Sequence, residues 1–161
     1  MKLFLSPVKL IFITSLSLFL ITVTDIRSSI PSEKSSLIFI GNSGIPKDEL
    51  TQSDITNIFL GAKKNWNNGH KIIFVSLREG EAHKKFLRTY LNMTVREYET
   101  YWRQKLFSGK GKLPKFCSTD AEAIDYVSRK DYAIGYISKD SCMDEIENFC
   151  AKDVIIISIT E

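Results

Sequence analysis

The chain has 161 residues, with 22 Lys and Arg against 19 Asp and Glu, a net charge of +3, and three cysteines. So nearly balanced a charge leaves no electrostatic footprint for nucleic acid. The length suits a single domain, and no repeat or low-complexity tract suggests more.

Lys2 and Lys9 precede an uncharged apolar run from Leu10 to Thr24, ended by Asp25. This is the charged-then-apolar pattern of a secretory signal, and the run falls short of the roughly 20 residues a membrane span needs. We therefore expect residues 1–28 to be a signal peptide, or an uncleaved anchor, and 29–161 to be the domain. Removal would take away Lys2, Lys9, Arg27 and Asp25, leaving the charge closer still to balance. The expected location is periplasmic or secreted, with nothing integral to the membrane if the signal is cut.

Leu37 to Ile40 reads as a buried strand feeding the loop Gly41-Asn42-Ser43-Gly44. Thr51 with Asp54, Thr94 with Glu97 and Thr119 with Glu122 have the spacing that satisfies free amides at a helix start. The first of these helices carries Ile55, Ile58 and Phe59, the second Val95, Tyr98, Trp102 and Leu106, the third Ile124 and Val127. Between the first two lie the strand Lys71 to Leu77 and a helix from Glu81 to Leu91. Trp66, in a polar turn, is expected to cap a sheet edge, and Tyr98 with Trp102 to stack in the core. Ala133 to Ile137 and Val154 to Ile159 read as strands, the second so apolar that both its faces should be covered. This order predicts a three-layer α/β/α domain with a mixed sheet.

In an exported protein the cysteines meet oxidising conditions. A continuous helix from 142 to 150 would hold the two Cα atoms roughly 12 Å apart, too far to bridge. A Cys142–Cys150 disulfide therefore needs an irregular loop, and the alternative is an amphipathic turn burying Cys142, Ile146 and Phe149. Cys117 reads as a small buried hydrophobe. No metal-ligand spacing and no Ser/His/Asp or Cys/His arrangement can be argued for His70 and His83. Neither catalysis nor a cofactor is expected.

Ile58-Phe59-Leu60-Gly61 with Trp66, Tyr101-Trp102 running into Phe107-Ser108-Gly109-Lys110-Gly111, and Ala133-Ile134-Gly135-Tyr136 occur in an order with meaning. Together, over about Leu37 to Ile159, they resemble the phosphate-type solute-binding proteins of ABC importers, in particular the small stand-alone members. The resemblance implies a shortened type 2 periplasmic-binding-protein-like domain, about half of a two-lobed clamshell. It also implies a strand that ends in an Arg, followed by Asp-Gly-Ser-Gly-Thr opening a helix around an oxyanion. Here that position reads Arg78-Glu79-Gly80-Glu81-Ala82-His83. Arg78 and Gly80 match, Glu79 stands for the Asp, and the hydroxyl residues are missing.

Arg78 offers the fork that matches two oxygens of an anion, and the helix start offers amides. Glu81 opposes this, since two like charges about 4 Å apart repel by roughly 4 kcal/mol near a protein surface. The remaining candidate anion-binding residues are Asn42 and Ser43 after the first strand, and Ser108, Gly109 and Lys110 in a loop rich in glycine and cations. The expected function is a periplasmic solute-binding protein for phosphate or a related oxyanion, partnered by an ABC permease. The alternative is a degenerate domain that serves as a protein-interaction or accessory module of the cell envelope.

Overall fold

The computed structural model describes residues 37–46, 48–109, 112–141 and 153–160. The expected signal segment 1–28, Lys110, and the Cys142–Cys150 pair lie outside the described residues.

The elements run β1 (Leu37–Asn42), β2 (Leu50–Thr51), α1 (Gln52–Phe59), β3 (Ile73–Leu77), α2 (Glu81–Phe86) continued by a π-helical turn (Leu87–Leu91), α3 (Val95–Phe107), β4 (Lys115–Cys117), α4 (Asp120–Ser128), β5 (Ala133–Ser138), β6 (Val154–Ile157) and β7 (Ile159–Thr160). Five strands form one mixed sheet in the order β4-β3-β5-β1-β6, and β2 pairs separately with β7. β3 runs parallel to both β4 and β5, whereas β1 runs antiparallel to β5 and β6.

Strand alternation sorts the side chains onto two faces. On one, Phe39, Phe74 and Tyr136 meet Phe59 of α1, Phe86 of α2 and Trp102 of α3, with the Phe86 and Tyr136 rings stacked 3.9 Å apart. On the other, a Cβ at Gly135 would lie 3.4 Å from Val75 and 3.5 Å from Val127 of α4. The layers are thus α1, α2 and α3, then the sheet, then α4, which is the expected α/β/α arrangement.

Local chemistry fixes the helix starts. The Thr51 and Thr94 hydroxyls accept from the Asp54 and Glu97 amides, and each carboxylate returns a bond to the cap. Thr119 likewise accepts from the Glu122 amide at 3.1 Å, but the Glu122 carboxylate is drawn instead to the Ser118 amide and Lys115. α1 stops at Gly61, whose φ of +65° favours glycine. A Cβ there would come within 2.8 Å of the Trp102 ring.

Two expectations are corrected. The helix expected over 81–91 is α-helical only to Phe86, and Asn92 closes the π-helical turn in the left-handed conformation at φ 51°. The strand expected over 154–159 is broken into β6 and β7, and β6 is not covered on both faces. Among the described residues it forms the edge of the sheet, beside β1, and Ile156 on one of its faces is 56% exposed.

Candidate functional site

β3 ends in the buried Leu77, and Arg78 follows with its backbone N–H donating to the Cys117 carbonyl at 3.0 Å. This bond prolongs the β3–β4 pairing and sends the Arg78 side chain out at the strand's C-terminal end. Gly80 then turns the chain into α2 at φ +97°, which an L side chain rarely adopts. Among the described residues no side chain caps the free amides of α2. The Glu81 carboxylate is instead bonded to Lys84 at 2.7 Å, with both side chains exposed. Lys84 holds the Glu81 carboxyl below the usual range.

Arg78 lies over the Phe116 ring at 5.4 Å and forms no ion pair among the described residues. It opens onto a cavity of about 460 Å³, which Glu79, His83, Glu99, Trp102 and Arg103 also line. The local charge is therefore mixed, two guanidinium groups against two carboxylates.

His83 is buried, and its Nδ1 lies 2.6 Å from the Tyr136 hydroxyl. That hydroxyl lies 2.9 Å from Ser76 Oγ, which donates onward to the Leu77 carbonyl at 3.2 Å. With the Ser76 proton so used, Tyr136 donates to Ser76 and the neutral imidazole donates from Nδ1 to Tyr136. Burial pushes the His83 pKa down to about 4 and that of Tyr136 up. The sequence reading gave His83 no partner. The legible hints were Tyr136 inside a quoted motif and a lone hydroxyl, Ser76, in an apolar strand.

The anion-binding candidates do not converge on one place. β1 and β5 run in opposite directions, so Gly41 pairs with Ile134, and Ile134 lies beside Phe74 near the start of β3. Asn42 and Ser43 are thereby carried to the end of the sheet away from Arg78, about 16–20 Å along the strand direction at roughly 3.3 Å per residue. Their polar groups are also engaged. Asn42 is buried, donates to the Val127 and Ser128 carbonyls at 3.2 Å each, and accepts from the Gly44 amide at 2.9 Å. The Ser43 amide donates to the Asp153 carbonyl at 2.8 Å. Ser108 follows α3 with its hydroxyl on the Lys105 carbonyl at 3.1 Å. Gly109 lines a different cavity, near the start of β3. Among the described candidates, only Arg78 and Gly80 remain together.

Among the described residues no His, Cys, Asp and Glu group could hold a metal ion, and no helix is long and apolar enough to cross a membrane. Cys117 is buried with its thiol pushed up to about 11.

No protein-family model matches this sequence, and no curated protein matches it. Solved structures do. One is PstS from Borrelia burgdorferi, with a TM-score of 0.58, 19% identity, and coverage of 79% of this chain and 48% of that one. Another is a provisionally described phosphate ABC-transporter substrate-binding protein from Clostridium perfringens, solved with bound phosphate. It gives a TM-score of 0.54 at 17% identity over 78% of this chain and 45% of that one. A possible phosphate-binding protein from Planctomyces limnophilus gives 0.52 at 12% identity, over 79% and 42%. The chain spans about half the length of these proteins, and at such identity the likeness is one of fold. The fold is that of phosphate-type ABC-importer substrate-binding proteins in shortened form, as the motifs implied.

Proposed function

We propose that this chain is a solute-binding domain that takes a small oxyanion, with phosphate the first candidate, at Arg78. Support comes from the uncommitted guanidinium at the C-terminal end of β3, beside α2 amides that no side chain caps among the described residues. The carboxylate most able to repel an anion, Glu81, is turned to Lys84 and partly neutralised by it. An envelope location and an ABC permease as partner complete this reading. Glu79 and Glu99 in the same cavity imply weak rather than tight capture.

Calorimetric titration of the protein with phosphate and sulfate tests the proposal. Saturable binding that Arg78→Ala abolishes supports it, and no heat from either anion at millimolar concentration refutes it.

A second reading, an accessory interaction module, draws on one observation. Leu106, Phe107 and Leu113 are exposed, Phe107 by 82%, and Leu106 and Leu113 border this same cavity. Exposed apolar groups beside mixed charges suit a protein partner better than a bare anion.

A further inference from the structure

The other large cavity, about 590 Å³, lies near the start of β3, and its described lining holds six lysines, Lys63, Lys64, Lys71, Lys105, Lys112 and Lys115, and no carboxylate. Lys63 and Lys115 are paired with Asp54 and Glu122 at 2.8 and 2.9 Å. The other four have no carboxylate partner among the described residues.

The fold holds these cations in place. Asn65 pairs with Lys71 across a tight turn, and the Ile72 amide donates to the Lys64 carbonyl at 2.8 Å, so Lys64 and Lys71 sit on adjoining backbone. The turn is anchored by Trp66, buried with Nε1 donating to the Tyr132 carbonyl at 3.0 Å, and by His70 stacked on Tyr132 at 4.0 Å. Lys105 is fixed from α3. Its Nζ donates to the Leu60 carbonyl and, at 2.9 Å, to the Tyr101 hydroxyl, and it stands 5.2 Å over the Trp102 ring. Lys112 joins the lining from the segment just before β4.

Like charges gathered round one concavity raise a positive potential there, and at physiological salt that field reaches about 8 Å. Lys64, Lys71, Lys105 and Lys112 have no counter-charge among the described residues, a setting that favours an anion. Trp102 lines this cavity and the Arg78 cavity alike, and its buried indole Nε1, near the Tyr98 hydroxyl, has no acceptor among the described residues, so it assigns an anion to neither.

We infer that this cavity is a second binding site, for a small polyanion carrying two or more phosphate groups. Its volume lies in the range of small-molecule sites, about 300–1,000 Å³, and far exceeds one orthophosphate. Several phosphates on one molecule reach Lys64, Lys71, Lys105 and Lys112 together, which a single anion cannot do. The site adjoins the Arg78 cavity, sharing Trp102 and Leu113 with it, but takes Lys71 from the opposite end of β3 and does not include Arg78.

Inorganic tripolyphosphate titrated into the full chain tests this by calorimetry. The expected result is one saturable site, at least about tenfold tighter than for orthophosphate. It should weaken at least about tenfold in the Lys64→Gln, Lys71→Gln, Lys112→Gln triple variant and persist in Arg78→Ala. The three lysines are exposed, and an unchanged thermal midpoint in the triple variant confirms that the fold is intact. Unsaturable binding, no loss in the triple variant, loss in Arg78→Ala alone, or tighter binding of a single-stranded DNA 20-mer overturns the inference. The orthophosphate proposal at Arg78 stands or falls separately, by the Arg78→Ala titration.

Discussion

Acid should unfold this domain earlier than its carboxylates alone require, because of His83. Its imidazole is buried against Tyr98 and Tyr136, and desolvation lowers its pKa to about 4 from an ordinary 6.5. The unfolded chain therefore binds a proton below about pH 6.5 that the folded one refuses. Stability contributed by the neutral form is present above that value, falls as the pH drops, and levels off below about 4. The full difference is about 3 kcal/mol, of which about 2 kcal/mol is lost between pH 7 and 5. For a domain of this size that lowers the thermal midpoint by about 6–10 °C. Arg78, Glu79, Glu99 and Arg103 share its cavity, so both signs of charge act on the imidazole. Asp54, Glu97 and Glu122 also have lowered carboxyl values, but their contribution disappears only as the pH falls through the carboxylate range. Urea unfolding at pH 7 and 5 of the parent and His83→Gln isolates the term. The parent should lose about 2 kcal/mol more than the variant over that interval. Equal losses in the two proteins, or a His83 resonance, assigned by its absence from His83→Gln, titrating near 6.5 in the folded state, would refute the reasoning.

Asn42→Ala should cost about 1–3 kcal/mol, because the buried carbonyls of Val127 and Ser128 lose their donor, and chemical denaturation measures it. Gly61→Ala should destabilise by a similar amount, about 1–3 kcal/mol, through its positive φ and the approach to Trp102, with a lower thermal midpoint as the readout. Cys117 should resist alkylation at pH 8 while the protein is folded and react once urea unfolds it, since the thiol is buried and held near 11. Rapid labelling of Cys117 in the native protein, located by peptide mass, contradicts its burial.

The legible parts of this protein are those decided within a few residues. Thr51 and Thr94 announce their helices because the hydroxyl and the carboxylate three residues on meet the same free amides whatever surrounds them. The apolar run ahead of Arg78 and the order of strands and helices likewise give the α/β class, and Gly61 ends α1 for a reason local to its own backbone. The edge position of β6 is not legible in its residues, because apolar composition says nothing of which strand ends up at an edge.

Strand direction and long-range pairing belong to the tertiary structure. The loop after β1 looks as suitable for an anion as the loop after β3, yet the antiparallel course of β1 against β5 sends Asn42 and Ser43 to the other end of the sheet. His83 finds Tyr136 53 residues away, and Tyr136 finds Ser76 60 residues away, partnerships that no local spacing encodes. The lysines of the second cavity come from separated stretches that look like solvated surface until the fold draws them round one space. Caps and periodicity act over a few ångströms of contiguous chain and can be read from it, whereas a site assembled from distant segments exists only once the sheet has fixed their relative positions.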